Sequence, residues 1–177
     1  MNPLPTFTGT APVLAEADGP GRPAFRAALA MFATGVTIVT ARNAAGAWLG
    51  LTVNSFNSVS LAPPLVLWSL ARSARSLGDF SAASHYAISV LAADQKALAL
   101  RFASAKGERW VDVDAVPGVC GAPLIQGAAA HFECANRSRY TEGDHVIFVG
   151  EVLHCAHSAQ ASPLLFHGGN FYTEHPL

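Results

Sequence analysis

The stretch GLTVNSFNSVSLAPPLV, residues 50–66, decides the fold. Thr52, Asn54, Ser58 and Ser60 fall on one side of a period-two alternation, and Val53, Val59 and Leu61 fall on the other. At Ser55-Phe56-Asn57 the alternation inverts, which predicts a bulge or kink that re-aims backbone and side chains at one point. Pro63-Pro64 then interrupts the run. A row of hydroxyls and amides on a strand needs hydrogen-bond partners, because each buried group left unpaired costs ~1–3 kcal/mol. Three occupants would meet that need: water on a solvent-facing strand, a second subunit, or a planar ligand rich in donors and acceptors.

The surrounding composition narrows the setting. The chain has 177 residues, enough for one domain with a proper core. Charged residues are 13% of it, against ~25% in ordinary globular domains, so little charge is available to cover its surface. No charged residue stands between Arg42 and Arg72. A spanning helix needs ~20 mostly apolar residues in succession, and the Asn, Ser and Pro residues of this segment rule that out. The missing charge instead predicts an interface, most simply a two-fold homodimer. A net charge of −1 provides no basic footprint for nucleic acid. Cys120, Cys134 and Cys155 share no CxxC spacing, and no basic-then-apolar leader opens the chain, so a cytoplasmic, reduced protein is expected. The histidines show no metal-ligand spacing, so no metal site is expected. Ser55 and Ser58 lack the G-x-S-x-G context of a hydrolase nucleophile.

Outward from residues 50–66 the periodicity switches several times. Residues 1–22 are rich in Pro and Gly and predict a flexible arm, leaving 23–177 as the domain. Pro23 suits the first turn of a helix, with Phe25, Leu29 and Phe32 on one face and Gly35 as its end signal. VTIVTA and AWLGLTV flank Asn43–Gly46 as a hairpin. LVLWSLA (65–71) reads as a buried strand, SARSLGDF as a short helix and HYAISVLA (85–92) as a strand. Asp94 is placed to cap a helix carrying Leu98 and Phe102. Residues 103–128 form a long irregular region of the kind that serves as a lid, in which Trp110 either covers a ligand or anchors the loop. Two long strands follow around the turn TEGD, and a last short strand over 163–173 is broken at Gly168-Gly169. Six or seven strands, short connections and no βαβ alternation predict a mainly β fold, an antiparallel barrel with a few peripheral helices.

A flavin suits the third occupant of the polar strand. Its pyrimidine edge offers carbonyls and an N–H to Thr, Asn and Ser side chains and to backbone N–H groups, while its dimethylbenzene edge wants apolar neighbours such as Phe56. Arg72, Ser73, Arg75 and Ser76 gather hydroxyls and guanidinium forks at the start of a short helix, which suits a phosphate, the alternative being a solvated turn.

FATGVTIVTA, GLTVNSFNSVSLAPPLVLWSL, YAISVLAADQ and GDHVIFVGEV occur in the order seen in the flavin reductase family of two-component flavin-dependent monooxygenases. The chain resembles that family over most of residues 25–173. The resemblance implies an FMN-binding split β-barrel of Greek-key type, assembled as a homodimer. It implies an enzyme that carries hydride from NADH or NADPH to FMN or FAD and supplies reduced flavin to a partner monooxygenase. It implies flavin contacts at Thr34, Gly35, Val36 and Thr37, at Thr52, Val53, Asn54, Ser55, Ser58, Val59 and Ser60, and near the phosphate at Arg72, Arg75 and Ser76. His145 of the GDH turn is implied beside the nicotinamide, and Asn170 and Tyr172 are available at the same mouth. Two other classes fit such a barrel: a non-catalytic flavin-binding module, and an oxidase of the pyridoxamine-phosphate oxidase type.

Overall fold

The structure is a computed structural model that describes Ala15, Gly19 and residues 21–104 and 107–175. The expected arm, residues 1–22, lies outside the described residues apart from Ala15, Gly19, Gly21 and Arg22. The last two open helix α1 (Gly21–Ala30). Pro23 sits in its first turn, where a missing N–H costs nothing. The helix stops before the expected Gly35. Met31 and Phe32 donate to the carbonyls of Ala28 and Leu29, and Thr34–Gly35 become a short strand, β1. Strands β2 (Thr37–Arg42) and β3 (Trp48–Val53) form the expected hairpin. Asn43 Oδ1 accepts the N–H groups of Ala45 and Ala47, and Gly46 takes the φ of +80° that the turn requires.

Residues 50–66 are not one kinked strand. β3 ends at Val53, and a separate strand, β4 (Asn57–Leu61), begins after the inversion. A bulge does occur, but within β4, where the register shifts between Ser58 and Ser60. β5 (Pro64–Ala71) follows, alternating Val66, Trp68 and Leu70 inward. Next come α2 (Leu77–Ala82), β6 (His85–Val90), a 3-10 turn (Ala93–Gln95) and α3 (Lys96–Ala103). Asp94 does not cap α3; it lies inside the 3-10 turn, whose start is secured by Gln95 Oε1 accepting the Ala92 N–H at 3.0 Å. The chain then runs through β7 (Ala115–Pro117), β8 (Pro123–Ile125), β9 (Ala130–Glu142), β10 (His145–His157), β11 (Leu165–His167) and β12 (Asn170–Tyr172).

Seven strands form one antiparallel sheet in the order β3-β2-β6-β9-β10-β5-β4. Its two end strands, β3 and β4, are consecutive in the chain, so three residues span from one edge of the sheet to the other and the sheet must curl. Ser55 fastens that crossing: its Oγ accepts the Ser69 N–H at 2.9 Å and donates to the Ser69 carbonyl at 3.3 Å. The result is a split β-barrel, mainly β and antiparallel as expected. Its interior holds Val39, Val53, Trp68, Tyr86, Ile88 and Phe148. Trp68 stacks on Phe148 with centroids 4.4 Å apart. Cys134 is fully buried here as a small hydrophobe, and burial pushes its thiol up to about 12.

A second apolar layer covers the outside of β2. Ala99 and Phe102 of α3 pack with Val36, Ile38, Leu91, Ile125 and Leu164, and Leu98 adds to the same face. The irregular region is anchored to this layer: Trp110 meets Phe102 and Trp48 edge-on, at 5.0 and 5.2 Å. Among the described residues no helix is long and apolar enough to cross a membrane.

Candidate functional site

The open edge of β3 is the organising feature. Arg109 Nη1 reaches the Gly50 carbonyl at 2.8 Å from outside the sheet. In a strand one residue's N–H and C=O point the same way and the direction alternates, so Gly50 and Thr52 both present backbone polar groups away from β2. Helix α3 runs past this edge, and Thr52 Oγ1 donates to the Ala99 carbonyl at 2.6 Å. Helix and strand come this close because residue 50 is glycine; a Cβ there would lie 2.8 Å from Phe102 Cδ1 and 3.1 Å from Trp110 Cζ2.

Three cavities meet at Thr52. One, of about 600 Å³, is lined by Leu51, Thr52, the Ser73–Ser76 turn, Phe102, Ala103, Gly107 and Arg109. It collects two guanidinium groups and three hydroxyls, and no carboxylate lines it among the described residues. Arg109 is fixed there from both sides, since its Nε and Nη2 donate to the Ser104 carbonyl while Nη1 holds Gly50. Neutral carbonyls leave its positive charge uncompensated, which suits an anion in the cleft. A second cavity, about 350 Å³, has an apolar wall of Val36, Leu100, Phe166 and Phe171, with Thr52 and Asn54 at its polar side. A third, about 290 Å³, lies at the split of the barrel between Thr52–Ser55 and Ser69–Ala71, and His145 closes it.

His145 opens β10 opposite Ala71 and is half exposed. Its Nδ1 lies 2.7 Å from Asp144 Oδ1, a hydrogen bond that holds the Asp144 carboxyl below the usual range and orients the ring. Arg72 belongs to this end and not to the anion cleft: its backbone N–H donates to the Asp144 carbonyl, and Nη1 to the Gly143 carbonyl at 3.4 Å. It braces the GDH turn against β5.

The remaining expected residues divide. Thr52, Val53, Asn54, Ser55, Val36, Arg75 and Ser76 all line the three cavities. Thr37 is buried and donates to the Val53 carbonyl, so it supports the β3 edge from behind. Thr34 and Gly35 pair with Phe166 and Leu165 in β1, away from the lining. Ser58, Val59 and Ser60 stand on edge strand β4; Ser60 Oγ accepts the Ala62 N–H of its own turn. Phe56 packs on Phe132, 5.4 Å between centroids, against the barrel interior. Asn170 donates to Gly168, and Tyr172 lines a separate small cavity that shares Phe171 with the apolar one. Sequence reasoning missed Arg109, the α3 face at Ala99, Leu100 and Ala103, and the Phe166–Phe171 wall. A single cation beside Trp110 in an unpatterned loop was the one available signal for Arg109.

These groups fit a flavin. The outward backbone of Thr52 and the Asn54 amide suit a pyrimidine edge, the phenylalanine wall suits an apolar one, and the arginine cleft suits a phosphate. A family model described as flavin reductase like domain matches residues 29–175. The chain is 50% identical over 147 residues to FMN reductase (NADH) SmoA of Agrobacterium fabrum, which covers 83% of each protein. It is 34% identical over 164 residues to the flavin-dependent monooxygenase reductase subunit HsaB of Rhodococcus jostii, covering 93% of this chain and 83% of that one. Two relatives from Rhizobium meliloti are longer, and the matches span 42% and 56% of their lengths. Among solved structures, NADH:FAD oxidoreductase SgcE6 of Streptomyces globisporus, in complex with NAD and FAD fragments, matches with a TM-score of 0.83 at 41% identity, over 92% of this chain and 98% of that one. The chain belongs to the flavin reductase-like domain family.

Proposed function

We propose that the groove along β3 holds FMN or FAD and admits NADH or NADPH, so that the chain works as a nicotinamide-dependent flavin reductase. The observation that carries this reading is the convergence at Thr52 of an anion cleft, an apolar slot and a polar notch closed by a histidine. A flavin bound there supplies the redox chemistry, accepting hydride from a dihydronicotinamide. The protein's part is geometric and electrostatic. Arg75, Ser76 and Arg109 bind the phosphate end. The N–H of Thr52 and the Asn54 amide meet the edge where negative charge accumulates on reduction. His145, oriented by Asp144, positions the dinucleotide. No side chain has to act as a nucleophile.

The same reading includes a flavin-dependent monooxygenase as recipient of the reduced flavin, as the name of the HsaB relative suggests. It also includes a homodimer. Phe25 and Leu29 of α1 are 46 and 58% exposed, Phe32 in the turn after it is 72% exposed, and Leu61 of β4 is 94% exposed, more apolar surface than a solvated helix, turn and edge strand need. Light scattering tests this: the chain should run at twice its monomer mass, and Leu61→Glu with Phe32→Glu should halve it. A cytoplasmic location accords with three unpaired cysteines and the demand for NADH.

The functional test is aerobic oxidation of NADH followed at 340 nm with added FMN or FAD. Many turnovers per protein molecule support the reductase. Flavin binding without NADH oxidation would instead indicate a binding module.

A further inference from the structure

Helix α3 lines the groove along its whole length. Ala103, at its C-terminal end, borders the arginine cleft; Ala99 and Leu100 border the apolar slot; and Lys96, in its first turn, borders a further cavity of about 230 Å³ with Leu164, Phe171, Tyr172 and Thr173. Phe171 is the wall common to that cavity and the apolar slot. Lys96 Nζ lies 5.5 Å from the centre of the Phe171 ring, so the cation is held at the rim of the shared wall. From Ala103 to Lys96 is seven residues, an axial distance of about 10 Å at 1.5 Å per residue. The groove thus has a cation at each end, with the neutral β3 edge between them.

We propose that the two ends serve different ligands: the Arg75–Arg109 end takes the flavin phosphate, and Lys96 takes the pyrophosphate of the nicotinamide dinucleotide. This rests on the flavin reductase reading of the groove. One turn of α3 separates Lys96 from Ala99, whose carbonyl holds Thr52. That rise of three residues, about 4.5 Å, together with the reach of a lysine side chain, is comparable with the ribosyl unit that separates a nicotinamide from its pyrophosphate. Among the described residues Lys96 is the only charged one lining its cavity, and Asp94 opens onto a different one with Gln160 and Ser162. An ammonium on a flexible stem suits a pyrophosphate that must leave at every turnover, whereas the carbonyl-braced Arg109 suits a more static anion.

The experiment compares Lys96→Met, Lys96→Glu and Lys96→Arg using two hydride donors: NADH, and N-benzyl-1,4-dihydronicotinamide, which has no phosphate. Lys96→Met should raise KM for NADH roughly 3- to 5-fold, the size of one solvent-screened charge pair. Lys96→Glu should raise it further and Lys96→Arg should restore it. KM for the benzyl donor and Kd for FMN should stay as in the unsubstituted chain. Direct binding provides a second readout. Lys96 and Lys106 are the only lysines, so after ¹³C-methylation the Lys96 resonance should move with ADP-ribose and stay still with the benzyl donor. Equal losses for both donors would show that Lys96 acts only by packing Phe171, and a penalty confined to NADPH would place a 2′-phosphate there; either overturns the proposal. An unsubstituted chain that oxidises neither donor would refute the reductase reading itself, whatever Lys96 does.

Discussion

Gly50→Ala probes how the groove is built. The added methyl would sit 2.8 Å from Phe102 Cδ1 and 3.1 Å from Trp110 Cζ2, well inside the 3.5–4.0 Å of a relaxed carbon contact. Neither ring has room to yield. Phe102 is 1% exposed, and Trp110 is wedged between it and Trp48. Overpacking of this kind costs ~1–3 kcal/mol. At roughly 2–4 °C per kcal/mol for a domain of this size, the midpoint of thermal unfolding should fall by roughly 2–12 °C. The strain has one easy outlet, a shift of α3 away from β3, which breaks the Thr52–Ala99 hydrogen bond and widens the two cavities that α3 lines, the arginine cleft and the apolar slot. Flavin affinity should therefore fall along with stability. Scanning calorimetry and fluorescence titration with FMN read the two effects, and Phe102→Leu in the same chain should restore much of both by vacating the space. A Gly50→Ala variant with unchanged melting and unchanged FMN affinity would refute the packing of α3 on the β3 edge.

Replacing Arg75 and Ser76 together with Ala should weaken FMN roughly tenfold and leave riboflavin nearly unaffected, because only FMN carries the phosphate; equal losses in parallel titrations would move the phosphate elsewhere. His145→Ala should raise KM for NADH more than Kd for FMN, as measured by steady-state kinetics beside fluorescence titration. Arg109→Ala should weaken FMN and also loosen the hold on Trp110, seen as faster amide exchange there. Stability should decline above about pH 9: the unfolded Cys134 thiol ionises near 9.0 while burial holds the folded one protonated up to about 12, so the unfolded state releases its proton first. Urea titrations from pH 8 to 11 should show it, and Cys134→Ala should flatten the profile. Burial also pushes His131 down from its ordinary 6.5, partly opposed by the Glu133 charge, so stability should decline as pH falls through that value.

What the sequence revealed was local. Asn43 and Gly46 specify the β2–β3 turn by their own chemistry, and alternating Val66, Trp68 and Leu70 mark the inward face of β5. Thr52, Asn54 and Ser55 could be picked out because polar groups in so uncharged a segment need a reason, and Arg75 and Ser76 because they gather a guanidinium and a hydroxyl at the start of a short helix. The misjudged features depend on lateral pairing. The inversion at Ser55–Asn57 was visible, but its meaning, a crossing between the two ends of a curled sheet, is a long-range property of β3, β4 and Ser69. Arg72 and Arg75 are three residues apart and look alike in sequence, yet one braces the turn at Gly143 and the other lines the anion cleft. Asp94 had the right type and place for a cap, but Gln95 took the task from within the turn.

The claim beneath all of this is that the open edge of β3 receives an isoalloxazine ring. A crystal structure of the chain soaked in excess FMN tests it most directly. The ring should lie along Thr52–Ser55 with its phosphate among Ser73–Ser76 and Arg109; FMN density at any other surface, with side chains filling the β3 groove, would contradict it.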